Sequence, residues 1–171
     1  MKQVVFFLLL ILTGGALYAQ GKTDDQAPYK KDPTIPAFTI QLTDSTWFTK
    51  EQLPKYNRTI LIYFSPDCGH CQEEAKDIVQ HMDSLKSAFF VFIAYKPLDD
   101  IKSFAAYYGL DRFPNVRIGR DPKYFVPAFY RVKYTPFLAV YDKNGRLESV
   151  FDTENTPVPD AAGLVALVNR N

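Results

Sequence analysis

Residues 59–80 read TILIYFSPDCGHCQEEAKDIVQ, and the change of character inside this stretch decides the fold. TILIYF (59–64) is apolar on both faces and β-prone, as a strand buried at the centre of a sheet must be. QEEAKDIVQHMDSLK (72–86) is helix-prone. Cys71, Ala75, Ile78, Val79, Met82 and Leu85 fall on one stripe at helical spacing, with Glu73, Glu74, Lys76, Asp77 and Asp83 on other faces. SPDCGHC (65–71) lies at the strand-to-helix junction and holds both cysteines of the chain, Cys68 and Cys71.

A thiolate, not a thiol, attacks a disulfide. At the first turn of a helix, unpaired amide N–H groups and the positive end of the dipole favour an anion. Both effects lower the pKa expected for Cys68, and His70 can add positive charge beside it. Cys71 sits one turn in, on the apolar stripe, where it is more buried and less ionised. That asymmetry suits a two-step exchange in which Cys68 attacks and Cys71 resolves. Two other readings stand beside it. Zinc could use Cys68, Cys71 and a histidine, His70 or His81, but such sites ordinarily pair two CxxC groups or add spaced histidines. A structural disulfide between positions 68 and 71 would close so short a loop that it removes little entropy from the unfolded chain. The expectation is no metal and no cofactor.

The rest of the chain frames this junction. It has 171 residues, 47% hydrophobic and 15% aromatic, enough for one domain with a core. The formal net charge is +1 with no long basic block, which argues against nucleic acid as a partner. MKQVVFFLLLILTGGALYAQ (1–20) has a positive start, an apolar run from Val4 to Leu12 and small residues after it. This is the layout of a signal peptide, residues 1–19, cut after Ala19 or secondarily after Ala16. QGKTDDQAPYKKDPTIP (20–36) reads as a flexible linker. A single domain over residues 37–171 follows.

Within it, AFTIQL (37–42) and STWF (45–48) read as two short strands, and TKEQL (49–53) as a short helix capped by Thr49. AFFVFIAY (88–95) is a second buried strand, LDDIKSFAAYYGL (98–110) a helix closed by Gly109, and NVRIG (115–119) a short strand. A short helix is expected around 125–130. PFLAVYD and RLESVF form a hairpin across Lys143–Asn144–Gly145, and VPDAAGLVALVNRN (158–171) is a closing helix. Alternating strands and helices imply an α/β fold, a central mixed sheet with helices on both faces and an N-terminal β-hairpin extension.

A buried strand followed by Cys-Gly-His-Cys at the start of a helix resembles the thioredoxin superfamily, and Gly69–His70 is the dipeptide of protein disulfide isomerases. YRVKYTPFLAVYDKNGRL (130–147) resembles the segment that carries the superfamily's cis proline, here Thr135–Pro136. FTIQLTDSTWFTKEQL (38–53) and YYGLDRFPNVRIGRDPKYFVPAFYRV (107–132) resemble the exported TlpA/ResA-like thiol–disulfide oxidoreductases, so the likeness covers roughly residues 37–170. The resemblance implies Cys68 as attacking and Cys71 as resolving thiol. It implies that Thr135 and Pro136 bind an extended substrate segment, with Asp67, Gly69 and His70 modulating the couple. Its partners would be protein thiols and disulfides and a membrane or periplasmic redox donor. It implies a location in the periplasm or cell envelope of a bacterium. A monomer is the default.

The sequence departs from the family pattern twice. Asp67 stands where many relatives have Trp, and a carboxylate there should raise the Cys68 pKa. Ile62 stands where many relatives bury an acid that accepts the proton of the buried thiol, which leaves Lys96 or water for that task. The TlpA/ResA-like layout favours a reductase, and the Gly-His dipeptide favours a disulfide isomerase or oxidase. A peroxiredoxin-like peroxidase would want the Ser65 that is present, but also a proline where Leu61 stands. A non-catalytic peptide- or glycan-binding module would use Tyr107, Tyr108, Tyr124, Phe125, Phe129, Tyr130 and Tyr134, most of which are more simply core.

Overall fold

The computed structural model describes residues 26–170. The signal peptide expected over residues 1–19, with its cleavage site, lies outside them. In chain order the elements are α1 (Pro28–Lys31), β1 (Thr39–Leu42), β2 (Trp47–Thr49), β3 (Arg58–Tyr63), α2 (Gly69–Gln80), α3 (Met82–Leu85) and β4 (Ala88–Ala94). They continue with α4 (Leu98–Tyr108), β5 (Val116–Arg120), α5 (Phe125–Tyr130), β6 (Phe137–Asp142), β7 (Leu147–Phe151) and α6 (Ala161–Val168).

The strands form one seven-stranded mixed sheet in the order β2-β1-β5-β4-β3-β6-β7. β3, β4 and β5 run parallel, and β1, β2, β6 and β7 pair antiparallel with their neighbours. β3 is buried at every position, as its unbroken apolar run requires. Its side chains alternate between two cores. Ile60 and Ile62 face α2, α3, α4 and α6, through Cys71, Ala75, Ile78, Met82, Leu85, Ile101, Phe104 and Leu164. Leu61 and Tyr63 face α5 and the N-terminal strands, through Val126, Tyr130, Phe38, Ile40 and Phe48. Helices therefore cover both faces, but unequally. The longer helices share one face, while the N-terminal segment and the short α5 close the other.

Two expectations change on the structure. The helix after the cysteines is two helices, broken at His81, whose ring nitrogen lies 2.9 Å from the Asp77 carbonyl that also receives its own amide. The side chain competes for the helical acceptor at the residue where α2 ends and α3 begins. The linker expected over 20–36 is docked wherever it is described. Ala27 and Ile35 are buried, and Tyr29 packs on Tyr130 with ring centroids 5.6 Å apart. The Ile35 amide donates to Gly145 O (3.1 Å), and the Leu147 amide donates to Pro33 O (2.7 Å). Prolines and charges kept this stretch out of regular strands without keeping its few apolar side chains out of the core.

Buried Arg58 ties the start of β3 to the end of the chain. Its guanidinium donates to Glu148 at 2.7 Å and 3.2 Å, to Val168 O at 3.1 Å and to Arg170 O at 2.9 Å. At the other side of the sheet, Gly119 on β5 lets β1 approach closely. A Cβ placed there would lie 2.5 Å from Gln41 O, a backbone atom that cannot step aside. Gly119→Ala should therefore destabilise the fold by about 1–3 kcal/mol, the usual cost of forced overpacking. A urea midpoint that stays at the wild-type value would contradict this.

Candidate active site

β3 delivers the chain to the site. Beyond its last residue the Phe64 amide still donates to Ile93 O (3.0 Å), and the Phe64 ring is wedged against Phe92 and Phe104. Pro66 interrupts the strand, Gln72 Nε2 donates to Pro66 O (2.9 Å), and the Cys68 amide turns back to Ser65 O (3.1 Å). Cys68 is then the N-cap of α2. Its backbone is extended (φ −87°, ψ 117°), and its sulfur accepts from the Cys71 amide at 3.4 Å. A helix start needs an acceptor at this place, ordinarily an oxygen of Ser, Thr, Asp or Asn. Here sulfur fills it.

The second support comes from the far end of the sequence. The Thr135–Pro136 peptide bond is cis, as the resemblance implied. Thr135 O lies 3.4 Å from Cys68 Sγ and accepts from the thiol. β6 begins just after Pro136 and pairs with β3 in the register Phe137↔Tyr63, which brings the two loops side by side.

The two thiols, both free, differ as the helix position demands. Burial pushes the half-buried Cys68 thiol up. Hydrogen bonds to the Cys71 thiol, the Thr135 side chain and the Cys71 and His70 amides outweigh burial and leave its pKa below the ordinary thiol value. Cys71 is 2% exposed, and burial first, then its bond to Cys68, pushes it up to about 12.

The acidic neighbours need two corrections. Asp67, expected to oppose ionisation of Cys68, does not stand beside it as a lone anion. Asp67 is exposed and engaged with Lys96, Nζ to Oδ2 2.5 Å, and this bond lowers the carboxyl pKa and raises that of the amine. Lys96 therefore neutralises Asp67 rather than standing ready as proton acceptor for Cys71. Ile62 is buried in the core as an apolar residue.

Glu74 is the residue the sequence reading missed. It was assigned to an outer helix face, yet it lines a groove of about 340 Å³ with His70, Pro136 and Val158. Burial, then Asp77, push its carboxyl up to about 7. The signal was its place three residues after Cys71, next to the buried stripe. What could not be read was the Pro157–Val158–Pro159 loop that partly covers it. Gly69 and His70 are exposed, and a Cβ at Gly69 would meet nothing within 4 Å. Among the described residues no three His, Cys, Asp or Glu side chains converge as metal ligands would. Of the seven aromatics considered for ligand binding, Tyr130 is buried and Tyr108, Phe125 and Phe129 are partly buried. Tyr107, Tyr124 and Tyr134 are exposed.

Two measurements follow from these values. Alkylation of the reduced protein at about pH 8 should label Cys68 well before Cys71, and equal rates would contradict the asymmetry. Glu74 has a folded-state pKa above its unfolded value of 4.5. Its contribution to stability is full below pH ~4.5 and is lost as pH rises through about 7. Glu74→Gln should therefore remove a decline on the order of 3 kcal/mol across that window. A wild-type-minus-variant difference that is flat with pH would refute it.

No family model matches the chain. A protein disulfide isomerase-like 2-2 of Oryza sativa subsp. japonica is 30% identical over 78 residues, 46% of this chain and 20% of that protein. The matched stretch thus spans about a fifth of that relative's length. A secreted Mycobacterium tuberculosis disulfide oxidoreductase homologous to E. coli DsbE superposes with a TM-score of 0.63 at 22% identity, covering 77% of this chain and 96% of its own. Peroxidoxin BcpB of Mycobacterium tuberculosis superposes with a TM-score of 0.67 at 18% identity, covering 81% of this chain and 96% of its own. At such identities the likeness is one of architecture, and disulfide oxidoreductases and a peroxidoxin share it. The chain has the thioredoxin-like fold.

Proposed function

We propose that this protein exchanges disulfides with protein substrates through Cys68 and Cys71, acting as a reductase. The observation that carries the reading is the unequal pair. A sulfur with a lowered pKa caps the helix at a half-exposed position, and a buried sulfur with a raised pKa stands one turn behind it.

The chemistry runs in two displacements. The Cys68 thiolate attacks one sulfur of the partner's disulfide. A Cys68–partner bond forms, the partner's S–S bond breaks, and the other partner sulfur leaves as thiolate and takes a proton. Cys71 then gives up its proton, attacks Cys68 Sγ and expels the second partner sulfur. The partner disulfide gains two electrons and two protons, and the Cys68–Cys71 dithiol becomes a disulfide. The proton that Cys71 gives up passes to solvent. Thr135 and Pro136 lie where an extended substrate segment would pair with the backbone, as an added strand does.

The direction rests on the TlpA/ResA-like layout. A reductase of this kind needs a donor that returns two electrons, a membrane or periplasmic redox protein. The N-terminal leader supports export to the bacterial envelope, with the mature protein a monomer. Isomerase or oxidase activity is the second reading, favoured by Gly69–His70 and by the isomerase-like relative. Peroxidase activity has the peroxidoxin likeness and Ser65 behind it, but Leu61, where such enzymes carry proline, is a buried strand residue.

The reduction potential decides among them. Equilibration in graded glutathione buffers should give a value near −270 mV or below, as for thioredoxin. A value of about −180 to −120 mV would instead favour an isomerase or oxidase. No reversible couple would end the redox reading. Cys71→Ser should accumulate a mixed disulfide on Cys68, and Cys68→Ser should form none. Rapid peroxide consumption by the wild type would favour the peroxidase.

A further inference from the structure

A second groove, of about 700 Å³, reaches Pro66 and Asp67, directly before Cys68, and shares no lining residue with the Glu74 groove. Pro66 and Asp67 form one wall, and Asp100, Phe104, Tyr107 and Tyr108 of α4 form the other. The disulfide exchange described above uses none of the α4 residues.

The aromatic wall continues outward from the core. Phe64, directly after β3, packs on Phe104 (4.8 Å between centroids), Phe104 on Tyr108 (4.6 Å) and Tyr108 on Tyr107 (4.9 Å). The series ends in Tyr107, which is 82% exposed. A large aromatic left in water on a groove wall is more informative than an exposed small apolar residue.

The charges divide unevenly. Asp67 is neutralised by Lys96. Asp100 adds to the field that raises the Lys96 pKa but forms no ion pair with it among the described residues. Two carboxylates thus share one ammonium, and the groove is left net negative along the helix that carries the two tyrosine rings. Ring faces attract cations, and an exposed carboxylate attracts them at longer range.

We infer that this groove receives an arginine or lysine side chain flanking the reactive cysteine of the partner polypeptide. The cation lies against the Tyr107–Tyr108 rings and pairs with Asp100. The inference rests on the proposed exchange with protein disulfides, since it supplies the specificity of that site. An aromatic flanking residue would leave the net negative charge of the groove uncompensated, and an anionic one would be repelled by it.

The test separates recognition from redox chemistry. In the first arm, the isotopically labelled protein is titrated with two peptides in which serine replaces the cysteine, one flanked by Arg and the other by Glu. The Arg peptide should shift the amides of Asp67, Asp100 and Tyr107 and bind about five- to tenfold more tightly, the sum expected of one exposed ring contact and one exposed ion pair. Equal affinity, or shifts confined to the His70–Pro136 side, would overturn the inference. In the second arm, disulfide-linked versions of the two peptides are reduced by wild type, Asp100→Asn and Tyr107→Ala, each rate divided by that for a small neutral disulfide. The Arg preference should fall to within about twofold in both variants. A preference that survives both would overturn the groove assignment. Failure to reduce even the small disulfide would end the redox reading alone, because the first arm needs no sulfur chemistry.

Discussion

A helix cannot begin without leaving amide N–H groups unpaired, and in this protein a sulfur meets that need. The Cys71 amide points at Cys68 Sγ because the chain passes from extended to helical geometry at that residue. The amides that require an acceptor are the ones that stabilise the thiolate, so structural demand and chemical reactivity fall on one atom. Everything else in the architecture holds that junction still. β3 is buried on both faces, Phe64 is locked into the helical core, and the β6 pairing brings Thr135 alongside.

Around the couple the protein handles charge by separation. On one side, Asp67 is paired off with Lys96 in solvent, where the pair contributes little to stability but removes an anion from beside the nucleophile. On the other side Glu74 is drawn partly out of water and titrates near neutrality. Ile62 packs as an ordinary core residue. The groove along α4 adds a third arrangement, two carboxylates sharing one ammonium beside aromatic rings.

Much of this was legible in the sequence because local pattern and tertiary role agree there. The β3 run, the amphipathic stripe from Cys71 to Leu85, the Gly109 cap and the hairpin at Gly145 each follow from spacing or from one residue's conformational needs. Gly109 and Gly145 do adopt positive φ, 73° and 75°. What escaped depends on segments that meet only in space. Asp67 and Lys96 are 29 residues apart, and nothing local says that they pair. Glu74 looks solvated until the loop around Val158 is laid over it. The stretch before Phe38 looks like linker until Ile35 and Tyr29 find the second core. His81 looks like one more helical residue until its ring reaches the Asp77 carbonyl.

The pairing of β3 with β6 also sets an order in time. Cys68 and its partner Thr135 are 67 residues apart. A chain made from its N-terminus exposes both cysteines long before the segment that completes their surroundings exists. During that interval the two thiols lack the burial and the Thr135 carbonyl that distinguish them, and a passing oxidant can capture either one. The mature protein's selectivity is therefore a property its own nascent chain does not share. A cell making this protein must keep the young cysteines reduced, or tolerate their bridging early and open the bridge later.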